Sequence, residues 1–103
     1  MDAKLRALAD GTRRQILGLV WESERTAGNI AERFAMSRPA VSQHLGVLLE
    51  SDLVAVRREG TRRWYVANHE AIANLRNELE WFWEASLRRL KADAEASKRK
   101  RRR

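Results

Sequence analysis

Arg38, Ser42, Gln43 and His44 crowd one short stretch of this chain, and Arg57, Arg58, Arg62 and Arg63 crowd another. The first set suits base edges. A side-chain amide such as Gln43 can meet adenine with a donor and an acceptor together. Hydroxyls such as Ser37 and Ser42 serve either role, and a small apolar group such as Ala40 suits a thymine methyl. The second set suits phosphate, because a guanidinium presents a planar fork of donors that pairs with an oxyanion at two points. Together they describe chemistry for gripping and reading a polyanion.

Other chemistries find little here. His44 and His69 are the only histidines. His44 lies among the reading residues, where a phosphate or flanking-base contact is expected. His69 sits between Asn68 and Glu70, where a helix-capping role is expected. No Gly-rich phosphate loop, no Ser/His/Asp arrangement and no His-Glu-x-x-His motif occurs, so no catalytic residue and no enzyme activity is expected. Cysteine is absent, which excludes disulfides, thiolate metal sites and thiol redox sensing. Carboxylates at 78, 80 and 84 lack imidazole or thiolate companions, so neither a transition-metal site nor another cofactor is expected.

Both sets must be held by defined elements. Ser37 can cap a helix and Pro39 fits its first turn. Val41, Leu45 and Leu48 recur at spacings of four and three, giving one buried face and leaving Gln43 at the centre of the other. Before it, Thr26 can cap a helix over Ala27–Phe34 with Ala27, Ile30, Ala31 and Phe34 inward, and Ala35-Met36 makes a tight turn. Two short helices so joined have helix-turn-helix spacing, whose second helix enters the major groove with its N-terminal residues over the bases. The β-prone runs 53–58 and 62–66 follow, with Glu59-Gly60-Thr61 as the loop. A hairpin with arginines 57, 58, 62 and 63 about its tip, directly after such helices, reads as a wing that meets phosphate or a narrow minor groove.

Three blocks of sequence resemble a known family: Leu8-Ala9-Asp10-Gly11-Thr12-Arg13-Arg14-Gln15-Ile16-Leu17, Ser37 to Leu45, and Leu53-Val54 with Arg58-Glu59-Gly60 and Trp64-Tyr65. In order and spacing they look like the ArsR/SmtB winged helix-turn-helix repressors, over roughly residues 3 to 90. Gly11 stands where the family usually has proline, and Gly46 where lysine or arginine is common. The resemblance implies dimerisation through the first and last helices. Metal-sensing relatives carry Cys near the motif or paired ligands on the last helix. This chain instead resembles a subgroup without metal ligands, whose last helix is rich in tryptophan as in Glu80-Trp81-Phe82-Trp83-Glu84.

The remaining elements complete a mainly α fold with a small β-hairpin, in the order α-α-α-α-β-β-α. The first helix is expected at Ala3–Ala9. Asp10 is expected to cap the second, Thr12–Glu22, with Ile16, Leu17 and Val20 inward. The last helix is expected from His69 or Glu70 to about Ala94, with Ile72, Leu75, Leu79, Phe82, Trp83, Leu87 and Leu90 as its apolar positions. Adjacent Trp81, Phe82 and Trp83 point in different directions, so one aromatic side is left for a partner. That partner is expected to be a second copy, meeting Leu5, Leu8, Leu79, Trp81, Phe82, Trp83 and Leu87. A dimer also doubles the few base contacts available to one short helix and suits a pseudo-palindromic site in double-stranded DNA.

Composition sets limits. At 103 residues the chain has room for one modest core. Its net charge of +7 is concentrated: Lys98 to Arg103 supply six cations, leaving 15 basic against 14 acidic groups elsewhere. Residues 1–95 are expected to form the winged domain. Residues 96–103 are expected to form an unstructured basic tail, which either adds salt-dependent attraction to DNA or only solubilises. No apolar run is long enough for a membrane and no signal-peptide pattern appears, so a soluble, cytoplasmic protein is expected. The function expected is a sequence-specific DNA-binding repressor, with its own operon as a candidate target and no inducer identifiable. The alternative is a winged-helix interaction module docking through its aromatic last helix; the arginine-rich wing and the Ser37–His44 helix argue against it.

Overall fold

The computed structural model describes residues 1–101, with side chains through residue 99. Seven elements follow one another: α1 (Asp2–Leu8), α2 (Gly11–Leu19), α3 (Ala27–Phe34), α4 (Arg38–Glu50), β1 (Val54–Glu59), β2 (Arg62–Ala67) and α5 (His69–Arg101). They divide into two units, Met1–Ile72 and the remainder from Ala73.

In the first unit the helix starts are set by side chains that the sequence supplies locally. Asp10 accepts from the Arg13 N–H, Thr26 from Asn29 and Ser37 from Ala40, at 3.1, 3.2 and 3.3 Å. Each satisfies one of the N–H groups that a helix start leaves without an internal partner. The turn between α3 and α4 depends on Ala35, held at φ 51°. Its N–H and that of Met36 close back onto α3, to Glu32 and Ala31 respectively. This is the left-handed closure that glycine usually provides.

The core comes from the faces that periodicity predicts. Ile16 and Val20 of the α2 region, Ile30 of α3, and Val41, Leu45 and Leu48 of α4 are all but fully buried, as is Leu53. Leu17 and Ala31 join them, and Ala27 and Phe34 pack against the cluster half-buried. The hairpin adds Val54, Tyr65 and Ala67. Its antiparallel register pairs Val54 with Ala67, Val56 with Tyr65, Arg58 with Arg63 and Glu59 with Arg62. The loop is therefore Gly60-Thr61, one residue tighter than expected, with Gly60 at φ 62° as a tight turn requires.

α2 stops at Leu19 rather than near Glu22 for a tertiary reason. The Val20 carbonyl accepts from Ala67 of the hairpin at 2.9 Å, and the Trp21 carbonyl accepts from His69 Nε2 at 2.7 Å. Those carbonyls are taken by distant residues instead of a further helical turn. The same contacts change the expected role of His69. Asn68, not His69, accepts from Ala71 N–H at the start of α5. His69 anchors the Trp21 segment, and their rings meet edge-on at 4.4 Å.

In the second unit, α5 runs as helix through 96–101, past the expected end near Ala94 and into the basic stretch expected to be unstructured. After Gly60 the sequence has neither glycine nor proline to stop it. Ala92, Ala94 and Ala96, with Lys91 and Glu95 beside them, are strong helix formers, and cations suit the negative end of a helix dipole. Residues 102 and 103 lie outside the described residues. Trp81, Phe82, Trp83, Leu87 and Leu90 are exposed. No described helix is long and apolar enough to cross a membrane.

Candidate nucleic-acid interface

α4 presents the expected reading residues unequally. Ser37, Arg38, Ser42 and Gln43 are exposed, and Ala40 is half-buried. Val47 adds an exposed apolar group to the same helix. His44 differs: it is half-buried, with Nδ1 at 3.4 Å from Arg13 Nη1. It faces the α1–α2 junction instead of standing free beside Gln43.

The four wing arginines are likewise unequal. Strand alternation places Arg58 and Arg63 on the face of Val54, Tyr65 and Ala67, and places Arg57 and Arg62 on the other. Arg57 is held by two carboxylates, Glu24 at 2.9 Å and Glu59 at 2.7 Å. The Arg57 hydrogen bond holds the Glu59 carboxyl below its usual range, and the two carboxylates hold the Arg57 guanidinium firmly protonated. Among the described residues, Arg38, Arg58, Arg62 and Arg63 have no such ion pair. Sequence reasoning missed Glu24 as the partner of Arg57, since nothing local links positions 33 residues apart.

The two sets meet in one cleft of about 790 Å³. Arg38 and Ser42 of α4 form part of its wall, the first turn of α3 another, and Thr61 to Tyr65 of the hairpin a third. Gln43, Arg57 and Arg58 are not among its lining residues. The segment before α3 closes the wall by pairing with the hairpin, Arg25 N–H to the Tyr65 carbonyl at 3.0 Å and Tyr65 N–H back to Arg25 at 2.8 Å. A missing side chain helps shape this cleft. A Cβ on Gly28 would come within 2.7 Å of Arg38 Nη2, so glycine there lets the guanidinium lie against the start of α3. Trp64 also lines the cleft, and its buried indole Nε1 has no acceptor. A donor in that state costs free energy until it is met. Four arginines line the cleft beside the α3 start, and Arg25 is already engaged with the Leu19 carbonyl and Asn29 Oδ1, which leaves the guanidinium groups of Arg38, Arg62 and Arg63 for an anionic oxygen. Glu24 and Glu32 also line it; Glu24 is already engaged with Arg57.

Of the residues expected at a partner interface, Leu5 and Leu87 are exposed, as are the three aromatics 81–83, while Leu8 packs partly onto the core and Leu79 is half-buried. Among the described residues, no group of three or more His, Cys, Asp or Glu side chains is placed to hold a metal ion.

A capped helix pair, a basic hairpin beside it and a polar cleft between them define a winged helix-turn-helix DNA-binding unit. A helix-turn-helix domain family model matches residues 8–57. The chain is 44% identical over 86 residues to the HTH-type transcriptional regulator Rv2034 of Mycobacterium tuberculosis, covering 84% of this chain and 80% of that one. It is 38% identical over 68 residues to the transcriptional repressor SdpR of Bacillus subtilis, covering 66% of this chain and 76% of the repressor. It also resembles the solution structure of the homodimeric winged helix-turn-helix domain Mb0332 of Mycobacterium bovis, described as a possible ArsR-family regulator. That match has a TM-score of 0.67 and 35% identity, covering 81% of this chain and 77% of the other. The chain belongs to the ArsR/SmtB family of winged helix-turn-helix DNA-binding transcriptional regulators.

Proposed function

We propose that this regulator is a homodimeric repressor of a pseudo-palindromic operator. The carrying observation is the shared cleft: Arg38 and Ser42 of the reading helix and Arg62 and Arg63 of the wing line one cavity. A DNA strand following it has its phosphates between two basic walls, while Gln43 and Ser42 meet bases in the adjoining major groove. Ser37, Ala40 and Arg38 support that register from the first turn of α4, and Arg58 with Arg63 grips the flanking backbone. His44, half-buried and turned toward Arg13, stands outside this contacting set. The second copy meets the first through α1 and the aromatic stretch of α5, at Leu5, Leu8, Leu79, Trp81, Phe82, Trp83 and Leu87. The name of Mb0332 as a homodimer supports this assembly. Repression of its own operon completes the reading. The basic run from Lys98 adds salt-dependent, sequence-independent attraction.

The test is a gel-shift series at stated salt, with the duplex upstream of the protein's own coding sequence against a scrambled duplex. Preferential binding by a dimer is expected. Gln43→Ala should cost roughly 1–3 kcal/mol per half-site and relax preference at one base position. Equal affinity for both duplexes removes autoregulation. Unchanged affinity and preference in Gln43→Ala removes Gln43 as a base reader.

A further inference from the structure

We propose that Arg13 is a positioning residue for the reading helix, linking the end of α1 to α4 through His44. This rests on α4 being the element that reads DNA. The Arg13 side chain is mostly buried, only 18% exposed, and spans three helices. Its Nε donates to the Ala7 carbonyl at 2.7 Å and its Nη2 to the Arg6 carbonyl at 3.2 Å. These lie at the end of α1, where the Arg6 carbonyl also accepts from the Ala9 N–H at 3.2 Å and a cation suits the dipole. Nη1 lies 3.4 Å from His44 Nδ1 and 4.0 Å from Asp10 Oδ2. The Arg13 backbone N–H is the one that caps onto Asp10. One residue thus ties the α1 terminus, the α2 start and the middle of α4 together.

The chemistry fixes a direction. A guanidinium has donors only and stays protonated. His44 Nδ1 must therefore accept, and the imidazole carries its proton on Nε2. Val41, Leu45 and Leu48 bury one face of α4, but apolar packing is non-directional. The Arg13–His44 bond is directional and involves the residue next to Gln43. It sets the rotation at which Gln43 and Ser42 leave the surface. Because the same guanidinium holds α1, which carries Leu5, a shift of α1 on dimerisation reaches the reading helix through this residue.

Two arms test it. Without DNA, long-range ¹H–¹⁵N spectra of the full chain should show His44 as the Nε2–H tautomer at neutral pH, with the Nδ1 resonance moving in Arg13→Lys. A lysine head cannot reach all three acceptors. An Nδ1–H tautomer, or a resonance indifferent to Arg13→Lys, overturns the proposal. With DNA, the probe is a duplex selected from a random pool by the wild-type protein. Arg13→Lys and His44→Leu should each lower its affinity about tenfold, the low end for removing one bidentate base pairing. Both should stay dimeric by light scattering and bind random DNA as the wild type does. His44→Asn, which keeps an acceptor near the Nδ1 position, should remain near wild type, and the double variant should be no worse than the worse single. Losses that multiply, or equal losses on random DNA, overturn the proposal. A random-DNA salt slope lowered by about one unit makes Arg13 a phosphate contact instead. If the wild type selects no sequence from the pool, the reading of α4 fails, and the spectra still decide whether Arg13 holds His44.

Discussion

In the first unit Ile16, Val20, Ile30, Val41, Leu48 and Leu53 are fully buried, whereas along α5 Trp81, Phe82, Trp83 and Leu90 are each more than half exposed. The first unit is four helices and a hairpin, the second a single helix, and both carry large apolar groups. They differ in what surrounds them. Residues 1–72 supply their own caps, turns and core, so their apolar faces meet within the chain. The aromatic stretch of α5 fans around a single helix at about 100° per residue, which no one neighbouring surface can cover. Under the proposed function the contrast separates two tasks: one unit builds a surface for DNA, and the other displays a surface for a second copy of the chain.

The largest effect is expected where the first unit is self-sufficient. Leu48→Ala empties a fully buried site and should cost about 2–5 kcal/mol of stability. Denaturant unfolding measures it; a loss below about 1 kcal/mol would mean that this core is loosely packed. The contrast is sharpened by changing Trp81, Phe82 and Trp83 to polar residues one at a time. At least one variant should be a folded monomer by light scattering, with unfolding of the winged unit retained and operator affinity reduced by about 100-fold, because paired half-sites are no longer spanned. A wild type already monomeric at micromolar concentration would break the comparison outright.

A smaller effect distinguishes arginines within the wing. Replacing Arg58 and Arg62 together by alanine should weaken binding to every sequence and flatten the slope of log affinity against log salt by about 0.9 for each phosphate no longer neutralised. Arg57→Ala should change that slope less, since Glu24 and Glu59 already occupy its guanidinium. Equal slopes for all three positions would show that DNA strips Arg57 from its carboxylates. The smallest effect lies at the start of α2. The Asp10 carboxyl is held below its ordinary value of 3.8, chiefly by the Arg13 N–H. A lowered folded-state value adds stability that is present at neutral pH and lost as pH falls through that value. Melting temperature should therefore drop in acid more steeply in the wild type than in Asp10→Asn, which caps without titrating. Parallel curves would remove Asp10 from the acid response.

Much of the winged unit is legible because its signals are local. The caps Asp10, Thr26 and Ser37 lie three residues from the N–H groups they satisfy, and the buried faces of α3 and α4 follow spacings of three and four. Gly60 marks its turn for the same reason. Where the structure departs from those local signals, the cause in α2 is a long-range partner. α2 ends early because Val20 and Trp21 serve the hairpin and His69. In α5 the basic stretch joins the helix because nothing interrupts good helix formers.

Residue type and spacing by themselves determined the elements, the capped turns, the buried faces and the presence of two basic clusters. Each depends on interactions within about one helical turn or one hairpin. Tertiary structure alone decided what each polar side chain does. It put Arg57 between Glu24 and Glu59, turned His44 toward Arg13, laid Arg38 against Gly28 and left the Trp64 indole beside an open cleft. Apart from Glu59, two residues from Arg57, those partners lie ten to 33 residues away along the chain, and a side chain's free donors are known only when its neighbours are in place.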